Sequence, residues 1–211
     1  MRHPGVGVSL RQDQKEATRQ RVLDAARELF DSDGYEQTTV RGIARRAGVS
    51  VGSVFTTFSC KRDILSQVMQ DRLAALYAEL DRVAPKLRGS TSDRLRSIFA
   101  IHYAFEAHRT NLFLAYIASA FDSAPAGAAR PKEITPRLWQ ILQVCLSEGR
   151  ERGEVDPSAD LDLLTDLLMS AYVWTYRLAA CENADAETMS KVMDRNIGVI
   201  AAGFAPRAAP S

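Results

Sequence analysis

The residues able to do chemistry gather in the first third of the chain. Met1 to Arg62 holds eleven Lys or Arg against seven Asp or Glu, a formal excess of +4, while the remainder holds sixteen against nineteen, or −3. A basic excess confined to one segment is the electrostatic footprint of a nucleic-acid partner, although small asymmetries of this kind are common. Within that segment lies a tight turn, Ala47-Gly48-Val49. Gly48 permits the turn, Val49 plugs the gap between the helices it joins, and Ser50 can cap the next helix while leaving backbone N–H groups near phosphate. Other chemistries find no support. The sequence has no nucleophile elbow, phosphate loop or spaced acid pair, so an enzyme is not expected. Cys60, Cys145 and Cys181 are odd in number and far apart. They read as reduced thiols rather than a disulfide framework. No Cys or His spacing suits a metal, and neither metal nor cofactor is expected.

The elements that must position these residues read as helices throughout. Val22, Ala25, Ala26, Leu29 and Phe30 recur at helical spacing and predict a helix over about 15–32, ended by Asp33-Gly34. Thr38 or Thr39 can cap a second, short helix with Val40, Ile43, Ala44 and Ala47 inward, and Ser50 a third with Val54 and Phe58 inward. Longer helices follow over about 61–83, 92–108, 111–121, 133–152, 160–181 and 186–204, with an Ala-, Pro- and Gly-rich loop at 122–132. There is no strand-like alternation and no internal repeat. The expected fold is therefore all-α. No apolar run reaches the roughly 18 residues of a membrane span, and Met1 to Gln14 has no apolar core of a secretory signal, so no membrane partner and a cytoplasmic location are expected. Short helices around a glycine turn build a DNA-binding unit, but they also occur in ordinary bundles.

The run Gly34-Tyr35-Glu36-Gln37-Thr38-Thr39-Val40-Arg41-Gly42-Ile43-Ala44-Arg45-Arg46-Ala47-Gly48-Val49-Ser50-Val51-Gly52-Ser53-Val54-Phe55, extended through Phe58 and Lys61 to Leu65, resembles the N-terminal signature of the TetR family of repressors. The resemblance covers about the first third of the chain, and beyond it only length and helical pattern agree. It implies a three-helix helix-turn-helix domain over 15–62 and a larger helical ligand-binding and dimerisation domain over 63–205, with 1–14 and 206–211 disordered. It places Thr39 and Arg41 at the phosphate backbone, with Arg41 able to reach a base. It sets Ser50, Val51, Gly52, Ser53, Thr56 and Thr57 on the recognition helix and gives Lys61 a phosphate contact. Three positions depart from the pattern. Phe55 stands where Tyr is usual, Thr57 where an aromatic or His is usual, and Cys60 where Ser or Asn is usual. The first two remove polar aromatics that would meet phosphate. A second reading, a helical interaction protein with a degenerate helix-turn-helix and no specific DNA target, rests on them.

A three-helix unit reads few base pairs, and a dimer spans two half-sites about 34–36 Å apart. The resemblance implies that the last two helices form a homodimer interface, with Leu164, Leu168, Ala171, Val192, Met193 and Ile197 as candidates; the same stripes could face the chain's own core. It also implies a cavity among the middle helices. His102, Tyr103, Phe105, Tyr116, Trp139, Tyr172 and Tyr176 mix apolar bulk with polar tips and would suit a small organic effector. The expected function is a regulator, a repressor by family habit, that binds a palindromic double-stranded operator and is released by that effector.

Overall fold

The computed structural model describes residues 6–106, 109–123 and 135–205. Nine α-helices and one short 3-10 turn are described, with no strand among the described residues. The chain packs as two compact units, residues 1–72 and 73–211. The division falls inside one long helix, whereas the domain boundary expected at 62/63 lies at that helix's start.

The first unit contains α1 (Val6–Ser32), α2 (Val40–Arg46), α3 (Val51–Phe55) and the first part of α4 (Lys61–Val83). Helix α1 starts earlier than expected. Residues 6–14, read as disordered, are helical, because Leu10 to Ala17 contains no breaker and is rich in residues that lose little rotamer freedom in a helix. Residues 1–5 and 206–211 of the same expectation lie outside the described residues. Val22, Leu23, Ala26 and Phe30 of α1 pack with Ile43, Ala44, Val54, Phe58, Ile64 and Leu65, all buried. Arg27 joins α1 to α4 through Asp71 at 2.7 Å. Between α1 and α2 the buried Thr38 hydroxyl donates to the carbonyls of Gly34 and Leu29, at 2.8 and 3.2 Å. Gly48 sits at φ +65°, a conformation that costs an L side chain energy, so the α2–α3 turn depends on it.

The second unit contains the rest of α4, then α5 (Thr91–Glu106), α6 (Thr110–Ser123), α7 (Pro136–Glu151), α8 (Leu161–Glu182) and α9 (Ala186–Phe204). Helix α6 runs through Ser123, into the expected loop at 122–132; residues 124–134 lie outside the described ones. Aspartates at 160 and 185 accept backbone N–H bonds from Leu163 and Thr188 and so fix where α8 and α9 begin. Helix α5 is central, packing on α7 and α9. It meets α7 at Gly149, where an added methyl group would overlap Thr91 Oγ1. Thr91 cannot yield, since its N–H and hydroxyl both donate to Glu154. The bonds from Arg152 and Thr91 hold the Glu154 carboxyl down to about 2. Gly149→Ala should lower the unfolding free energy by about 1–3 kcal/mol, the usual cost of overpacking, as read from urea denaturation with an unchanged m-value.

The dimer candidates separate into two groups. Leu168, Met193 and Ile197 are fully buried within their own unit, so they belong to its core and not to an interface. Leu164, Ala171 and Val192 are partly exposed. The large apolar side chains facing outward on these helices are instead Leu163 (57% exposed), Leu167 (46%) and Trp174 (55%) of α8 and Val199 (77%) of α9. Helical spacing revealed two apolar stripes per helix but not which of them faced the chain's own interior.

Candidate nucleic-acid interface and the aromatic centre

Thr39 caps α2 by accepting from the Gly42 N–H at 3.0 Å. That bond uses its oxygen as acceptor and leaves the hydroxyl proton free to donate to a phosphate. Two residues into α2, Arg41 is exposed and its side chain makes no hydrogen bond or ion pair among the described residues. Arg45, one turn further, is in the same condition and lines a polar surface depression with Gln37, Thr39 and Gly42. By contrast Arg46 is spent on Glu28 at 2.6 Å. Two like charges four residues apart on one helix repel and are tolerated best where an anion sits between them. Arg45 was missed in the sequence, although its i,i+4 spacing from Arg41 was the available signal.

Helix α3 presents a small and mostly apolar surface. Ser50 caps it, accepting from the Ser53 N–H at 3.0 Å, and its Oγ lies 2.8 Å from Ser53 Oγ. The Thr56 hydroxyl donates to Ser53 O at 2.7 Å, so its proton is not available to a base. Thr57 is partly exposed, and its side chain makes no hydrogen bond among the described residues. Val51 is partly exposed and Gly52 exposed. A methyl group on Gly52 would meet nothing closer than Ser50 Oγ at 3.7 Å, an ordinary contact. The fold therefore does not require glycine there. Phe55 is 52% exposed, an aromatic ring left in water on the same helix. Such a face suits thymine methyls and sugars more than bidentate guanine readout.

Lys61 is placed differently from the expectation. Its ammonium donates to the carbonyls of Tyr35 (2.7 Å), Thr38 (3.0 Å) and Glu36 (3.4 Å), and it lies 4.1 Å from the Tyr35 ring centroid. An ammonium has three N–H donors, and here all three turn inward to the α1–α2 loop. Lys61 therefore ties the start of α4 to the loop that presents Thr39. Nearby, Asp63 accepts from the Ser59 N–H at 3.0 Å, and its bonds to Ser59 hold the carboxyl below its usual range.

In the second unit, four of the seven cavity candidates come together. His102, Tyr103, Tyr172 and Tyr176 are all fully buried, and the His102 ring lies 5.0 Å edge-on to Tyr172. The Tyr172 hydroxyl is 2.9 Å from His102 Nδ1, and that of Tyr176 is 3.3 Å from the same nitrogen. Tyr116 joins from the side through Phe113, whose ring is 4.4 Å from Tyr176. Phe105 is exposed, and the Trp139 indole N–H donates to Asp166 at 3.2 Å, so neither enters this cluster. Phe113, another aromatic of the middle helices, does enter it, as does Tyr77, which sequence reasoning missed. The hydroxyls of Tyr77 and Tyr103 are buried with no hydrogen-bond partner among the described residues. Burial raises the hydroxyl pKa of Tyr77, Tyr172 and Tyr176 and lowers His102 from its ordinary 6.5 to about 3. A histidine that stays neutral when folded but takes a proton when unfolded weakens the fold as pH falls below 6.5. The urea-unfolding free energy should therefore fall by about 1.6 kcal/mol in all from this residue between pH 6.5 and 5, and His102→Gln should remove that part of the slope.

Among the described residues no group of His, Cys, Asp or Glu could hold a metal ion, and no helix is long and apolar enough to cross a membrane. The family described as "Bacterial regulatory proteins, tetR family" matches residues 22–68. The chain is 25% identical over 155 residues to the fatty acid metabolism regulator protein of Bacillus subtilis, covering 74% of this chain and 79% of that one. It is 26% identical over 178 residues to the transcriptional repressor KstR of Mycolicibacterium smegmatis, covering 83% of each. Among solved structures it is similar to Thermus thermophilus FadR, a TetR-family repressor in complex with lauroyl-CoA, with a TM-score of 0.71, 24% identity and coverage of 92% of this chain and 98% of that one. The family's N-terminal model thus lies directly over the capped helix-turn-helix, and the likeness in fold to that TetR-family repressor spans nearly the whole chain.

Proposed function

We propose that the protein is a repressor that grips a two-fold symmetric operator as a homodimer and lets go when a small organic effector occupies the second unit. The observation that carries the DNA-binding half is the face of α2 on which Arg41 and Arg45 stand exposed without partners beside the Thr39 hydroxyl. Unpaired arginines set around a helix cap suit phosphate oxygens, and Arg41 also suits a guanine edge. Thr39, Arg41, Arg45, Val51, Gly52, Ser53, Phe55 and Thr57 form the proposed contact set, with Ser50, Thr56 and Lys61 holding it in shape.

The effector would enter the aromatic centre. Apolar walls there surround the Tyr77 and Tyr103 hydroxyls, whose unmet donors call for an acceptor on the ligand. A long-chain acyl-CoA is the first compound to assay, because the FadR of Thermus thermophilus was solved with lauroyl-CoA. The effector acts only through its difference in affinity between the DNA-bound and released states. The test is a shift assay on duplex DNA from upstream of the protein's own gene, with and without acyl-CoA. Retardation that acyl-CoA reverses supports the reading; no retardation at low salt refutes it.

Dimerisation would use the exposed stripe of Leu163, Leu167, Trp174 and Val199, flanked by Leu164, Ala171 and Val192. Apolar residues at i, i+4 and i+11 of one helix form a single stripe, and leaving it in water is costly. Leu167→Glu with Trp174→Glu should give a monomer in sedimentation equilibrium at micromolar protein. Its operator affinity should fall at least about 100-fold, because two half-sites would no longer be engaged together.

A further inference from the structure

A cleft of about 260 Å³ opens where the end of α4, the start of α5 and α7 meet, and it shares no residue with the aromatic centre. Its size lies near the small end of ligand pockets, about 300–1,000 Å³. One wall is apolar: Ile98 of α5, Ile141 and Val144 of α7, and Pro85. The same two helices, with Asp81 of α4, carry two ion pairs. Arg137 grips Asp81 at 2.6 Å and also donates to Gln140 at 3.0 Å. Arg94, whose side chain is only 9% exposed, donates to Glu148 at 2.5 Å. Arg152 reaches no closer than 4.0 Å to Glu148 and is bound to Glu154. The Arg94 Nε–H, buried, has no acceptor among the described residues.

That unused donor defines the ligand. A buried N–H without a partner is costly and favours an acceptor beside it. The charges lining the cleft already cancel in pairs, Arg94 with Glu148 and Arg137 with Asp81. A carboxylate ligand would bring a third negative charge beside two carboxylates, and an ammonium would sit against two guanidiniums. Either leaves one charge uncompensated in a partly desolvated site. A neutral carbonyl oxygen meets the donor and adds no charge. We propose that this cleft is a second small-molecule site, selective for an uncharged carbonyl compound with a short apolar tail, its oxygen on Arg94 and its tail along Ile98, Ile141 and Val144.

The test uses the full-length protein with Ile and Val methyl groups labelled for NMR, titrated with hexanamide, hexanoate and hexylammonium, which differ only at the head. Hexanamide should shift the methyl signals of Ile98, Ile141 and Val144, and the two charged probes should bind at least tenfold more weakly. Val144 is 57% exposed at the rim, so Val144→Trp covers the mouth without entering the core. It should abolish the Ile98 and Ile141 shifts at the same hexanamide concentration. Arg94→Lys keeps a charge opposite Glu148 and removes the Nε donor; it should weaken hexanamide at least tenfold. The proposal is overturned if hexanamide gives no shift at its solubility limit, if hexanoate binds as well, or if Val144→Trp leaves the affinity unchanged.

Discussion

Replacing Arg41 and Arg45 together by alanine should weaken operator binding by about 30- to 25,000-fold per half-site and leave the fold intact. Each arginine is exposed and its guanidinium is bonded to nothing among the described residues, so removing it orphans no partner. Surface changes of this kind shift stability by about 0.5 kcal/mol or less. Each lost phosphate or base contact is worth about 1–3 kcal/mol, and together the pair sets the range quoted. The salt dependence carries a second signature. Each phosphate neutralised contributes about −0.9 to the slope of log K against log salt, so the double variant should lose nearly two units of slope per half-site, or nearly four for the dimer on its operator. Fluorescence anisotropy at several salt concentrations between about 50 and 200 mM measures both quantities.

Lys61→Met should also weaken the operator complex, but by a different route. The ammonium is consumed by the carbonyls of Tyr35, Glu36 and Thr38. Without it those carbonyls lose a charged donor, worth about 1.5–3 kcal/mol in stability, and the loop that presents Thr39 loosens. DNA affinity should therefore fall while the salt slope stays that of the wild type, and urea denaturation should show the loss without DNA present. A lysine that touched phosphate would behave in the opposite way, with a slope shallower by about one unit per half-site and stability nearly unchanged. The two measurements together separate a positioning residue from a contacting one.

The helices and the turn were legible because each rests on local chemistry. Thr39 and Ser50 cap where short polar side chains precede apolar periodicity, and Gly48 takes a positive φ where the chain must reverse. Residues 6–14 escaped because so short a stretch, with Gly7 in it and no recurring apolar stripe, resembles a disordered tail. Outward and inward faces were harder. Leu167 and Leu168 are neighbours in the same apolar run, yet one is exposed and the other fully buried. Only the way α8 packs on its neighbours decides which. The role of Lys61 was hidden for a similar reason, since its partners lie 23 to 26 residues away in sequence. Cys60 occupies a partly exposed position beside this cluster, and nothing in the structure explains its replacing a more polar residue.

Phe55 and Thr57 keep the reading without DNA testable. A recognition helix built from Val51, Gly52, Ser53 and an exposed Phe55 has few strong hydrogen-bond donors, so the account relies on shape, methyl contacts and the α2 arginines. The most direct measurement is selection of bound duplexes from a random-sequence pool, followed by salt titration on the recovered site. The account predicts a two-fold symmetric site with half-sites about one helical turn apart, 10–10.5 base pairs centre to centre, bound by the wild type and lost by the Arg41→Ala, Arg45→Ala protein. Recovery of no common sequence, or of one that the double variant binds equally well, would contradict it.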